Sequence, residues 1–223
     1  IYYGSLAGHL ALTAFYDRVE DETADLHRDW AKRIVATIDA SANGTRKLPY
    51  PVFSSAEARS YLIASGRSPV GSIYQSDKER PFMMVIASKP TKGPLVNVFF
   101  DLGDAYAAVS QQFATTSPGN EFTPGALIGF LAQSNDSAAQ AFIGTYLASE
   151  DRLDESINWL SSSARSGNIV ANLALARVWW TKARRHDDEQ ARSEAVDLAV
   201  ENYLRAISVG SDEAMYMLAV LYL

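Results

Sequence analysis

Three histidines and one acidic run are the first residues in the chain to test for chemistry. His9, His27 and His186 are far apart, and no two have the i, i+4 spacing with which one helix presents two imidazoles to zinc. The acidic run lacks the D-x-[DN]-x-[DN]-G pattern of a calcium loop, so we interpret it as a solvated face at the start of a helix that continues through Ala40. We therefore predict no metal site and no cofactor. The acidic run consists of Asp17, Glu20, Asp21, Glu22, Asp25 and Asp29.

Nucleophile signatures are missing as well. The chain has no Cys, which excludes a thiol nucleophile and a Cys-ligated zinc site. It has no G-x-S-x-G, no S-x-x-K and no P-loop, since Gly125-Ala-Leu-Ile-Gly129 is not followed by Lys and Ser or Thr. We predict no catalytic residue and no enzymatic activity. A hydrolase with a site between lobes, near His27 and the acidic run, remains an alternative.

Composition bounds the class of protein. The 223 residues are 48% hydrophobic and 21% charged, which is typical of a globular chain of one or two domains. The formal net charge of −6 disfavours a nucleic-acid surface, which needs a basic face. No apolar stretch approaches the roughly 18 residues of a membrane span. We expect no nucleic acid as the partner and no membrane span in this chain.

An internal repeat organises the second half of the chain. Gly167-Asn168 precedes Ala171, Leu175 and Trp179, and Gly210-Ser211 precedes Ala214, Leu218 and Tyr222, 43 residues later. A third unit starts at Ser134 and carries Ala138, Phe142 and Tyr146. Its Ala138 comes 33 residues before Ala171 of the unit at Gly167. Residues four apart share one helix face, so each unit predicts a helix with a small residue for close approach and an aromatic at its wider end. The preceding Gly or Ser suits a tight turn between helices.

The stretch from Trp159 to Trp179, with its W-x3-S-A-x2-G-N-x2-A-x3-L-x3-W pattern, resembles the Sel-one-like repeat, a relative of the tetratricopeptide repeat. The resemblance covers about residues 122–223 and includes a weaker match over residues 1–18. It implies paired antiparallel helices stacked as an α-solenoid, and an adaptor or assembly role in a bacterial complex. A plain helical bundle is the alternative fold. The compartment stays open between the bacterial periplasm or envelope and the cytoplasm.

The middle of the chain breaks the helical rhythm. Six of the eight prolines fall within residues 46–103. Residues 81–88 and 95–102 are apolar runs of strand length around a turn, which predicts a β-hairpin, and residues 70–75 predict a third strand. Ser54, with Glu57 three residues later, predicts a helix to about Ser65 that Gly66 closes, and residues 50–53 predict a short strand before it. Near-continuous apolar strands indicate cover on both faces.

We therefore expect a mainly α protein: a helical segment at 1–45 that includes a possible first repeat, an α+β insertion at 46–103, and Sel-one-like helical repeats at 104–223. The predicted function is a non-catalytic scaffold whose helical-repeat groove binds another protein or peptide. Trp180 lies on the side of its helix opposite Ala171, and we predict that Asn172, Arg177 and Trp180 contact the partner.

Two further expectations remain. A sensor of a small ligand or a peptide, built on an apolar pocket of the insertion, is the alternative function. The apolar last helix, which ends at Leu223, predicts either that the chain is a piece of a longer array or that a larger complex covers this helix.

Overall fold

The computed structural model describes residues 4–116 and 122–223. Within these ranges the chain forms ten helices and a sheet of four strands. It is a mainly helical protein with a small mixed sheet. The helices are α1 (Leu6–Arg18), α2 (Thr23–Ser41), α3 (Ser55–Ala64), α4 (Gly103–Thr116), α5 (Pro124–Gln133), α6 (Ser137–Ser149), α7 (Leu153–Arg165), α8 (Ile169–Ala183), α9 (Glu189–Ser208) and α10 (Asp212–Leu221). The strands are β1 (Tyr50–Pro51), β2 (Arg67–Gln75), β3 (Met83–Pro90) and β4 (Val96–Asp101).

Side-chain caps fix where most helices begin, because the first N–H groups of a helix have no partner within it. Ser54 accepts from the Glu57 N–H, and the Glu57 carboxylate accepts from the Phe53 N–H, which confirms the predicted start of α3. The same kind of cap opens six further helices, at Ser5, Thr123, Asp136, Asn168, Asp188 and Ser211.

The sheet has the strand order β1-β4-β3-β2. The predicted hairpin is present, since β3 pairs antiparallel with β4, and the third strand β2 pairs antiparallel with β3. The short strand β1 joins β4 in parallel. A register shift between Pro69 and Gly71 interrupts the β2–β3 ladder.

Both faces of the sheet are covered, as the apolar strands predicted. One face packs on a core shared with α1, α2, α3, α5 and α6, and its members on the strands include Tyr74, Met84, Ile86, Val98 and Phe100. The other face carries Ala87 and Val85 and meets α8 and α10. Residues 83 to 88 of the central strand β3 are all buried. The sheet therefore forms a layer between two sets of helices.

Each helix from α5 to α9 packs against the next helix along the chain. The small residues predicted for the three repeat units, Ala138, Ala171 and Ala214, are fully buried. Gly167 and Gly210 adopt positive φ in the turns before α8 and α10, as predicted. In the turn of the unit that starts at Ser134, the residue with positive φ is Asn135, a residue type that tolerates this conformation.

The prediction for the aromatic positions is only partly correct. Trp179 is half-buried and lies under the Lys182 ammonium, 5.4 Å from the ring centroid. Tyr146 and Tyr222 are instead 55% and 71% exposed. A tyrosine ring carries a hydroxyl that favours water. Tyr146 and Tyr222 can therefore stay exposed, whereas the larger apolar ring of Trp179 is half-buried.

Two other elements bear on the sequence predictions. The helix predicted from the acidic run to Ala40 is present as α2. Helix α4, which the repeat pattern did not indicate, has no fully buried residue. Among the described residues, no helix is both long and apolar enough to cross a membrane.

Candidate functional site: a cleft between the sheet and the helices

A cleft of about 380 Å³ lies between the sheet and the helices that follow it. We call it the interlayer cleft. The sheet supplies its floor and α8 its opposite wall, while Thr145 of α6 and the first residues of α10 close it at the sides. Its apolar surface comes from Ile73, Val85 and Leu95 on the sheet side and from Val170, Leu173 and Ala174 on α8.

The register of the strands explains this floor. Side chains two residues apart point to the same face of a sheet, so Ile73 and Gln75 of β2 share one face. Ile73 lies opposite Val85, and Ala87 lies opposite Asn97. The floor is therefore apolar at its centre and carries an amide at Gln75 and another at Asn97.

A cross-helix ion pair stands at the rim of the interlayer cleft. The Arg177 guanidinium donates to the Glu213 carboxylate, and the two side chains are 49% and 56% exposed. Among the described residues that line the cleft, Arg177 is the one cation. An exposed pair of this kind contributes about 0–1 kcal/mol, so a bound group can displace Glu213 at small cost.

Tyr203 of α9 lies behind this ion pair. It is fully buried, and its hydroxyl has no hydrogen-bond partner within the described part of the chain. Burial raises the pKa of Tyr203; the nearby Arg177 charge opposes this shift, and the Glu213 charge adds to it.

Asn168 holds the two walls of the interlayer cleft together. Its Oδ1 accepts from the Ser72 N–H at 3.0 Å and from the Val170 N–H at 3.2 Å. Its Nδ2 donates to the Ser72 carbonyl at 2.7 Å, with Ser137 O and Ser163 Oγ at 3.1 and 3.0 Å. A Cβ on Gly71 would come within 2.7 Å of Asn168 Oδ1, so only glycine permits this approach of β2 to α8.

A second cavity, of about 400 Å³, lies on the other side of the sheet. Ile34, Ile38 and Val52 line it, with the exposed ring of Phe53 at its edge. Its ionisable groups are all carboxylates placed where helices begin: Glu57 caps the start of α3, while Asp101 accepts from the Gly103 N–H and precedes Asp104 in the first turn of α4. These charges complement the helix dipoles, and most of the remaining lining is apolar.

Two of the three histidines of the sequence analysis lie against each other. His9 and His27 are buried between α1 and α2, with their Nδ1 atoms 2.9 Å apart. Tyr16 stacks on the His27 ring, and Trp30 stacks on the His9 ring. His27 is 6% exposed. The described residues contain no cluster of three or more His, Cys, Asp or Glu side chains that could hold a metal ion.

The three predicted partner-binding residues lie in three different places. Arg177 lines the interlayer cleft. Trp180 is half-buried and lines a separate shallow depression with Arg184 and Arg192. Asn172 is 5% exposed, and its Nδ2 donates to the Asn168 carbonyl at 3.2 Å. The structure therefore brings only Arg177 to the cleft.

Sequence reasoning missed the contribution of the sheet to this cleft. Ile73, Gln75 and Asn97 belong to the predicted insertion, and nothing in the repeat pattern placed them against α8. The alternation along β2 does put Ile73 and Gln75 on one face, which was the available signal. It could not show which helix covers that face.

No family model, curated protein or solved structure matches the chain in comparisons with known proteins. The resemblance to Sel-one-like repeats therefore stays a prediction. The fold is that of a mainly helical protein with a small mixed sheet between its helical layers.

Proposed function

We propose that this chain is a non-catalytic module that binds a segment of a partner polypeptide in the interlayer cleft. The observation that carries the proposal is the composition of the cleft: an apolar floor and wall, with a few polar groups at fixed places. That combination is typical of recognition sites, in which apolar contact provides affinity and polar groups set orientation.

The cleft suits an extended segment in particular. Half-buried side chains line it on both sides, Ile73 and Leu95 on the sheet side and Leu173 on α8, so an inserted side chain would contact apolar groups from two layers. Its volume of about 380 Å³ accommodates a few residues rather than a folded domain. Arg177 at the rim is a residue type that is enriched in binding hot spots.

This proposal keeps the adaptor or scaffold role inferred from the repeat resemblance, but it places the binding groove elsewhere in the protein. The predicted groove was formed by helices alone, whereas the cleft proposed here has the sheet as one wall. Trp180 and Asn172 are not expected to contact the segment, since one faces another depression and the other is interior.

A selection experiment tests the proposal. Random dodecapeptides displayed on phage are selected on the wild-type protein, and the enriched peptides are measured against two variants. Leu173→Arg places a charge on the cleft wall, and Phe53→Arg makes the matched change at the edge of the second cavity. We expect affinity to fall more than tenfold for Leu173→Arg and by less than twofold for Phe53→Arg.

A loss of affinity for Phe53→Arg but not for Leu173→Arg would support the alternative function, a sensor of a small ligand or peptide built on the insertion. The observation in favour of that alternative is the second cavity, which Val52, Phe53 and Asp101 of the insertion line together with α2. Failure to enrich any peptide would contradict the proposed function.

A further inference from the structure

The polar side chains that line the second cavity offer a ligand acceptors and no donor. Three of them are the carboxylates of Glu57, Asp101 and Asp104, and the other two are the hydroxyls of Thr37 and Ser41 on α2. Thr37 Oγ1 donates its proton to the carbonyl four residues earlier at 2.9 Å, and Ser41 Oγ donates to the carbonyl three residues earlier at 2.7 Å. Because both hydroxyl protons are used within the helix, their oxygens can only accept from a ligand.

The three carboxylates differ in how their charge is compensated. Asp101 faces a cation, since the Arg80 Nε atom lies 3.8 Å from its Oδ2. Asp104 is exposed, so water solvates it. Glu57 is 9% exposed, and the ion pairs between described residues do not include it. Buried charges are normally paired, so the charge of Glu57 needs an explanation.

The two oxygens of the Glu57 carboxylate have different surroundings. Oε2 accepts from the Phe53 N–H at 2.7 Å, which completes the cap of α3. No described residue donates to Oε1, and Oε1 is not among the five side-chain atoms that lack both a partner and accessible surface. Oε1 is therefore accessible. Because Glu57 is otherwise enclosed and lines the second cavity, a molecule in that cavity can reach this oxygen.

We propose that the second cavity binds a small organic cation, an alkylammonium that donates to Glu57 Oε1 and packs its alkyl chain against Ile34, Ile38 and Val52. An ammonium group brings three donors and the charge that Glu57 lacks, and a charge-assisted hydrogen bond is roughly twice as strong as a neutral one. The volume of about 400 Å³ lies within the range of small-molecule sites. This site is separate from the interlayer cleft and does not depend on the proposed function.

An inorganic cation suits the cavity less well. Calcium and magnesium need several oxygen ligands around one point, and the described residues contain no cluster of three or more side chains that could hold a metal ion. The isoleucine and valine side chains of the lining offer nothing to a hydrated ion, whereas they shield a carbon chain from water.

The first arm of the test compares three probes on the ¹⁵N-labelled wild-type protein at neutral pH. Hexylamine should shift the amide resonances of residues 51–57 and 101–104. Hexanol has the same chain length without the charge and should bind at least tenfold more weakly. Butylamine has two methylenes fewer and should bind about tenfold more weakly. Equal affinities for hexylamine and hexanol, equal affinities for hexylamine and butylamine, or shifts only at other residues would each overturn the inference.

The second arm uses two matched variants. Glu57→Gln removes the charge and keeps the start of α3, because glutamine also completes a capping box with Ser54. Asp104→Asn makes the same change at the exposed carboxylate. The affinity for hexylamine should fall at least tenfold on Glu57→Gln and less than threefold on Asp104→Asn. The reverse order would show that Glu57 does not hold the cation. If Glu57→Gln fails to fold, the comparison of hexylamine with hexanol on wild type still decides.

The third arm identifies the source of the ammonium group. Nα-acetyl-lysine methylamide presents the same group on a peptide backbone, and we expect it to bind more weakly than hexylamine. Tighter binding would mean that the cavity takes a lysine side chain of a polypeptide, and a free amine as the ligand would be wrong. None of these measurements involves the dodecapeptides selected for the interlayer cleft, so the failure of either proposal is distinguishable from the failure of the other.

Discussion

Asn168 closes the free edge of the sheet at Ser72. β2 is an edge strand, and the side-chain amide of Asn168 lies beside it as a neighbouring peptide group would, accepting from the Ser72 N–H and donating to the Ser72 carbonyl at 3.0 and 2.7 Å. The same side chain caps α8 through the Val170 N–H. One residue of the repeat turn thereby joins the sheet layer to the helical layer and fixes the width of the interlayer cleft.

Asn168→Asp should lower the free energy of unfolding by about 3 kcal/mol at neutral pH. Aspartate caps helices as well as asparagine does, so the cap at Val170 survives. What is lost is the Nδ2 donor, and a carboxylate then faces the carbonyl oxygens of Ser72 and Ser137. Urea denaturation provides the measurement. Asp136→Asn, the opposite change at the cap of α6, is the control and should change stability by less than about 1 kcal/mol.

Gly144→Ala and Gly129→Ala should have opposite effects on stability. A Cβ at Gly144 would lie 2.5 Å from Leu160 Cγ and 3.1 Å from its backbone nitrogen, so α6 and α7 would have to separate, at a cost of about 2 kcal/mol. A Cβ at Gly129 in α5 meets nothing within 4 Å, and alanine there should stabilise the helix by roughly 0.5–1 kcal/mol. Thermal melts of both variants measure this difference, and equal losses would contradict the packing described for α6 and α7.

Tyr203→Phe should leave the free energy of unfolding within about 0.5 kcal/mol of wild type, or raise it. The hydroxyl is buried without a partner, so its removal takes away a desolvation cost and no hydrogen bond. Chemical denaturation measures the change, with Tyr74→Phe as a comparison at a second buried tyrosine. A loss greater than about 1 kcal/mol for Tyr203→Phe would mean that this hydroxyl has a partner in solution.

His9 and His27 should differ in the protonation of Nδ1. Their Nδ1 atoms are 2.9 Å apart, and a hydrogen bond at that distance needs one nitrogen that carries the proton and one that accepts it. Long-range ¹H–¹⁵N correlation spectra of the imidazole rings at neutral pH should show one protonated and one unprotonated Nδ1, with the half-buried His186 as the reference. Two rings with identical Nδ1 states would contradict the pairing of α1 and α2 through these side chains.

Local chemistry in the sequence predicted much of the fold. Ser54 with Glu57 predicted the start of α3, Gly66 its end, and the apolar runs around residues 89–94 predicted the hairpin of β3 and β4. These features depend on residues close together along the chain. The contact between Ser72 and Asn168 joins residues 96 positions apart, and no local pattern specifies it.

The candidate site was predictable only in part for the same reason. Helical spacing placed Arg177 on a surface that could face a partner, and the structure does place it at the rim of a cleft. Spacing could not reveal that the sheet forms the opposite wall, so Ile73 and Gln75 were missed. It also grouped Trp180 with Arg177, although helix α9 packs against α8 and leaves Trp180 in a separate depression.

The central claim is that the interlayer cleft holds a polypeptide segment. It is tested most directly by titrating a selected dodecapeptide into ¹⁵N-labelled protein and following the backbone amide resonances. We expect the largest chemical-shift changes at residues 73–75, 95–97 and 169–177, with residues 51–57 and 101–104 unchanged. Changes confined to residues 51–57 and 101–104 would place binding in the second cavity and contradict the account.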